Sequence, residues 1–328
     1  MNVPKSETLP PPPGVIGSLK AGFDTVAVHI TAIFLPLVLD LLLWLGPHLS
    51  VEKLFQPMLS DIRSFGHANG VSASDLDQMI GIYKTVFHQF NLLSLLRTFP
   101  IGVSSLMSGL NPLATPLGTP TIVQVHSVFD VLGWIAILTL LGWLGGGFYF
   151  RWIASLVTPR EEAIGVQVVL QSVFLSIMWM IASFVLGIPL FLVLYLLFAI
   201  NPILGQGVLL FLGFLSMWLV VPLFFSAHGI FIRRQNVFAS VISSLQMTRF
   251  TLPTSSLFVL SVILISIGLN FVWSIPPSDS WMALIGILGH AFITTALLAA
   301  SFIYYRDMTG WLQTVFEKLK TRAATPQA

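Results

Sequence analysis

From residue 167 to residue 200 the chain carries no charged side chain. Five further stretches, 24–46, 127–153, 207–232, 254–275 and 281–305, are nearly as apolar. A helix that crosses a bilayer needs about 20 mostly apolar residues, so each run is long enough to span. Composition agrees: 55% of the residues are hydrophobic and 9% are charged, against about 25% charged in a soluble domain. Such a chain cannot cover itself with water-compatible surface. The expected fold class is all-α, a polytopic membrane bundle of six transmembrane helices.

Lysine and arginine orient the spans. With the N-terminus cytoplasmic, the inner side holds Lys5, Lys20, Arg151, Arg160, Arg233, Arg234, Arg249, Arg306, Lys318, Lys320 and Arg322. The outer side holds Lys53, Arg63, Lys84 and Arg97, balanced by Glu52, Asp61, Asp75 and Asp77. Eleven cations against four follow the positive-inside rule. Both termini are then cytoplasmic, and the membrane is the cell (plasma or inner) membrane. The polar, proline-rich opening has no cleavable-signal layout, and the first span is expected to be retained.

The run 167–200 would extend about 50 Å as one helix against a hydrocarbon core of about 30 Å. Its first part reads as an interfacial elbow, with a kink at Gly187-Ile188-Pro189. Similar elbows precede the first and fifth spans, in "GVIGSLKAGFDTVAVHITAIF" and "VFASVISSLQMTRFTLPTSSLF", which share Ser18-Leu19 and Ser244-Leu245. Three parallel elbow-plus-hairpin repeats are the expected plan. In order, it has a tail and elbow at 1–23, a first span at 24–46 and an extracytoplasmic helical insertion at 47–126. A second span at 127–153 follows, then an elbow and kinked span at 160–200 and a fourth span at 207–232. An elbow at 236–253, spans at 254–275 and 281–305, and a tail at 306–328 complete it. In the tail, Met308, Trp311, Leu312, Val315, Phe316 and Leu319 form an apolar stripe beside Lys318, Lys320 and Arg322. That pattern predicts an amphipathic helix on the inner leaflet.

The insertion should carry two amphipathic helices, over 51–65 and 75–97, the second capped by Ser74 with Asp77 at its third position. After them, "TFPIGVSSLMSGLNPLATPLGTPTIVQV" is apolar but broken by Pro and Gly. Irregular backbone cannot face lipid, so this stretch must pack on protein or graze the interface. The module is a cap on the bundle, or a docking surface for lipid or a protein partner; the roles are compatible.

The absence of cysteine excludes disulfides, thiolate metal sites, iron–sulfur clusters and a cysteine nucleophile. No histidine pair has helical metal spacing, and there is no phosphate-cradling or nucleic-acid motif. No metal, cofactor or nucleic-acid partner is expected, and "GVSSLMSG" matches no nucleophile elbow. The chain reads as non-enzymatic. Gly142 and Gly146 read as a close helix–helix contact.

The candidate intramembrane polar sites are Asp40, Asp130, His126, His290, Asn270 and Ser266. Asp40 lies six residues, about 9 Å at helical rise, before the Gly46-Pro47 break. A carboxylate in the outer half of a bilayer should turn inward, toward the module or the outer ends of other spans. His126 and Asp130 share a helical face near that level, with Arg97 and His48 in reach. The role expected for Asp40 is a structural knot, the alternative an ion or proton site. Depth matching of the last two spans sets His290 level with Ser266, one turn from Asn270, and Asn270 level with Gly286. A hydrogen-bonded clasp, worth about 1 kcal/mol, would explain these groups.

The layout of "GSLKAGFDTVAVHITAIFLPLVL" and "ASVISSLQMTRFTLPTSSLFVL" resembles bacterial six-span integral membrane proteins of the YciC-like type. It also resembles the membrane domain attached to some glycerophosphodiester phosphodiesterases. The resemblance implies this architecture and a role in membrane assembly or lipid context, and carries over no catalytic residue. The expected function is a scaffold, assembly or lipid-interacting component; the alternative is a small-molecule or ion transporter. Membrane lipids are the expected partners, with a protein partner through the module.

Overall fold

The computed structural model describes residues 11–158 and 165–324. The expectations for residues 1–10, for Arg160 and the first part of its elbow, and for the last four residues lie outside them. Among the described residues, five helices are long and apolar enough to cross a membrane: Val128–Val157 (α6), Val166–Ile200 (α7), Pro202–Arg233 (which ends in the short helix His228–Arg233, α9), Val237–Trp273 (α10) and a last one over Ala283–Thr321. A sixth crossing requires Val15–Val28 (α1) and Ile30–Leu45 to count together, and the chain turns by 96° between them. The expected first span therefore breaks inside. Its opening residues belong to α1, and only Ile30–Ile33, a 3-10 turn, and Phe34–Leu45 (α2) continue.

Two compact units divide the chain. One comprises the described residues of 1–30, 150–265 and 296–328; the other comprises 31–149 and 266–295.

The first unit gathers the segments read as elbows. α1 seats on the last helix, Ala283–Ala324 (α11), through Gly22: a Cβ there would stand 2.5 Å from the Cβ of Ala300. Val237 N–H donates to Gln171 Oε1 at 3.1 Å, joining the starts of α10 and α7. Ser18, Ser172, Ser176, Ser240 and Ser244 are all buried. Their hydroxyls return to backbone carbonyls, including Ser240 to Ser226 at 2.5 Å and Ser244 to Pro222. An aromatic core lies beside them, with Phe258 stacked on Tyr304 at 4.2 Å and Phe225 packed on both Tyr304 and Tyr305.

Asn201 ends α7 and caps Pro202–Phe224 (α8), accepting from Ile203 and Leu204 N–H. Pro202 at the first helical position loses no bond there. Beyond about residue 180 this hairpin is clad in exposed apolar side chains, as a surface bathed in lipid requires.

Two of the expected divisions fall inside continuous helices. α7 runs as one helix through Pro189. α11 is likewise continuous to Ala324, so no joint separates an amphipathic tail; Met308 is fully buried within it. Arg306 ties this helix to α6. Its Nη1 donates to the carbonyl of Val157 at 2.7 Å, satisfying an orphan acceptor at the end of α6. α10 itself breaks at Thr251 (φ −126°, ψ 21°), two residues before Pro253. Proline removes an N–H from the ladder, and Thr251 Oγ1 donates to the Met247 carbonyl at 2.8 Å.

The second unit contains the insertion. Glu52–Ala68 (α3) and Ala73–Gln89 (α4) form a hairpin closed by Phe55 stacked on Phe87 at 4.1 Å, with Arg63 paired to Asp77. The cap of α4 is Ser72, not Ser74. Ser72 Oγ accepts from Asp75 N–H and donates to its carboxylate, an N-cap two residues earlier than expected. Two short parallel strands, His48–Ser50 (β1) and Ile122–Gln124 (β2), close the stem of the insertion. Alternation this short leaves no legible strand signal. Asn91, buried, braces the stem by accepting from Leu49 and Leu93 N–H.

Candidate functional site

Asp40 is completely buried on α2. Its partners come from the irregular stretch after α4, where the short helix Met107–Leu110 (α5) begins. Ser105 Oγ donates to Asp40 Oδ1 at 2.6 Å, and Met107 N–H donates to the same oxygen at 2.9 Å. Ser105 is itself locked, accepting from Ser108 N–H at 3.0 Å, and Ser108 Oγ accepts from Arg97 Nη1 at 3.2 Å. A hydrogen-bonded path thus runs from an exposed guanidinium to a buried carboxylate. Oδ2 of Asp40 has no hydrogen-bond partner.

The stretch carrying Ser105 enters the helical packing because glycines make room for it. A Cβ on Gly146 would stand 2.5 Å from the Cα of Gly102, and one on Gly142 would stand 2.5 Å from Thr98 Cγ2. These glycines of α6 accommodate an irregular segment, not a neighbouring helix as expected. Gly146 lies 18 residues into α6, about 27 Å at helical rise, so the segment reaches well along the helix. Ile101, Val103, Leu106 and Met107 are buried. Thr98 Oγ1 donates to the Ile101 carbonyl at 2.8 Å, an internal partner of the kind irregular backbone at membrane depth requires.

His290 on α11 is buried, with Nε2 unpartnered. The expected clasp through that nitrogen does not form. Ser266 is half-buried and Asn270 is exposed. The depth matching is also offset: Gly286 lies against the Trp273 carbonyl rather than level with Asn270, and a Cβ on Gly289 would stand 2.7 Å from the Trp273 ring. The bare glycine faces admit the indole, which sets the register of the two helices. The Arg97 guanidinium lies within Coulombic reach of both Asp40 and His290. His126 and Asp130 are exposed near the start of α6 and take no part in the Asp40 hydrogen bonds.

Further pairs fasten the unit. Trp44 Nε1 donates to the Ser278 carbonyl at 2.7 Å and its ring meets Trp281 edge-on, tying α2 to the α10–α11 turn. Tyr149 and Thr295 share a buried hydrogen bond of 2.8 Å. At the stem, His48 is buried with Nε2 against the Phe90 carbonyl at 3.2 Å, so the neutral ring donates there. Burial holds its imidazole below the ordinary histidine value; the Phe90 bond partly opposes this, and His88 adds to it.

Chemically, the Asp40 cluster can hold a segment in place and offer one free acceptor oxygen. Among the described residues, no three His, Cys, Asp or Glu side chains are grouped to hold a metal ion. No family model, curated protein or solved structure matches this chain. The helices alone identify it coarsely. It is a multi-pass integral membrane protein.

Proposed function

We propose that this protein is a non-catalytic scaffold, assembly or lipid-interacting component of the cell membrane, and that the α3–α4 hairpin is its outer docking surface. The observation that carries this reading is an apolar face the hairpin does not use for itself. Phe55 on Phe87 closes its interior, yet Phe65, Ile82 and Val86 stay exposed, Phe65 to 73%. The stem is braced by β1, β2 and Asn91 and the Asp40 cluster locks the segment behind it, which suits a rigid platform. The charge distribution supports an outer location for the hairpin and cytoplasmic termini. The burial of Ser18, Ser172 and Ser244 at comparable places in the three elbows supports an internal repeat of the kind the YciC-like resemblance implies.

The test is the state of the protein drawn from native membranes. Ile82→Asp combined with Val86→Asp should leave insertion and thermal unfolding unchanged while removing co-purifying protein or lipid seen by mass spectrometry. An unaltered set of partners would overturn the reading. Transport is the second reading, favoured by the unpartnered Oδ2 of Asp40 and Nε2 of His290. It requires ion or solute flux in proteoliposomes that Asp40→Asn abolishes.

A further inference from the structure

Between α8 and α10 runs an apolar groove of about 620 Å³, walled by Phe214, Trp218 and Val221 on one side and Pro253, Leu257 and Ile263 on the other. We propose that it holds one acyl chain of an anionic phospholipid whose phosphate meets Arg249. The groove begins where Thr251 and Pro253 break the helical ladder of α10. Both walls belong to helices long and apolar enough to span, so whatever fills the groove comes from the membrane plane.

Length decides between the occupants. Pro253 to Ile263 covers ten residues of rise, about 15 Å, which is half of the roughly 30 Å hydrocarbon core. That matches the chain of a lipid from a single leaflet. A spanning helix of a second copy would need twice the length.

Charge decides which lipid. Arg249 is exposed, one turn before Pro253, at the broken end of the groove. Phe250 meets Phe316 edge-on at 5.2 Å, which brings the C-terminal part of α11 to the same end. One turn beyond Phe316, Lys320 is also exposed, whereas Glu317 partly offsets it. Among the described residues of the lining, Ser256 alone carries a hydroxyl, so the groove itself offers a headgroup little. A cation near a membrane surface favours anionic lipid by about 1 kcal/mol, about five-fold. The inference rests on the membrane character of α8 and α10, not on the role proposed for the hairpin.

The experiment is native mass spectrometry of the full chain released from nanodiscs of equal phosphatidylglycerol and phosphatidylcholine. The wild type should retain phosphatidylglycerol about five-fold over phosphatidylcholine, less so at high salt. Arg249→Gln should bring the ratio near parity, and Arg249→Lys should keep it. Leu257→Trp, which fills the groove, should release both lipids while circular dichroism reports an intact fold. The hairpin double variant should behave as wild type, which separates failure here from failure of the proposed function. Equal retention of the two lipids by the wild type would overturn the proposal. So would lipid held by Leu257→Trp, or a lipid-free dimer, which would assign the groove to a second copy. If Arg249→Gln fails to fold, the salt dependence of the wild type decides: no change in ratio with salt overturns it.

Discussion

Leucine at position 40 would leave Ser105 Oγ–H and Met107 N–H buried without their acceptor. Unsatisfied donors of that kind cost about 1–3 kcal/mol each, so Asp40→Leu should lower the unfolding free energy in detergent by at least that much. Asparagine keeps an acceptor oxygen at the same place, and Asp40→Asn should cost less than Asp40→Leu. Equal losses for the two, read from chemical unfolding, would show that the hydrogen bonds are not what holds the segment. At the stem, His48 gives a pH dependence whose sign follows from its depressed folded value. Between that value and the ordinary one near 6.5, the unfolded chain binds more protons than the folded one, so stability rises with pH there. Above that window the effect vanishes; on acidification through it, stability falls. His48→Gln can still donate to the Phe90 carbonyl but does not titrate. The difference in stability between pH 7.5 and pH 5.5 should therefore be smaller in the variant than in the wild type, as read from unfolding curves at both pH values.

Among the elements, α6 offers a matched pair. Gly146 faces the backbone of Gly102, whereas a Cβ on Gly145 would meet nothing within 4 Å. Overpacking of a tight site costs about 1–3 kcal/mol, and alanine is the better helix former by about 1 kcal/mol. Gly146→Ala should destabilise and Gly145→Ala should be neutral or stabilising, a difference of opposite sign measurable by thermal unfolding. If both behave alike, the irregular segment does not lie against α6. The apolar, Pro- and Gly-broken text of 98–125 made clear that it needs cover. That the cover is a glycine face of α6 was not legible, since a Gly-x-x-x-Gly pattern looks the same whether it receives a helix or a loop.

For the whole molecule, the cation asymmetry predicts that the α3–α4 hairpin and the end of α11 lie on opposite sides of the membrane. The chain has no cysteine, so single cysteines at Ser74 and at Glu317, both exposed, report without background. A membrane-impermeant thiol reagent on intact cells should label position 74 and spare position 317; the reverse pattern would overturn the orientation. By itself the sequence determined that this is a helical membrane protein and which stretches are apolar enough to cross. Those are local properties: the transfer of some twenty consecutive side chains is legible in a short window. Only the tertiary structure decided the partners. Ser105 and Met107 stand 65 and 67 residues from Asp40, and Arg306 reaches a carbonyl 149 residues away. The register of Trp273 against Gly286 likewise depends on how an indole fits two glycines. The cost of burying a polar group says that it must be met, and only the path of the chain through space says by what.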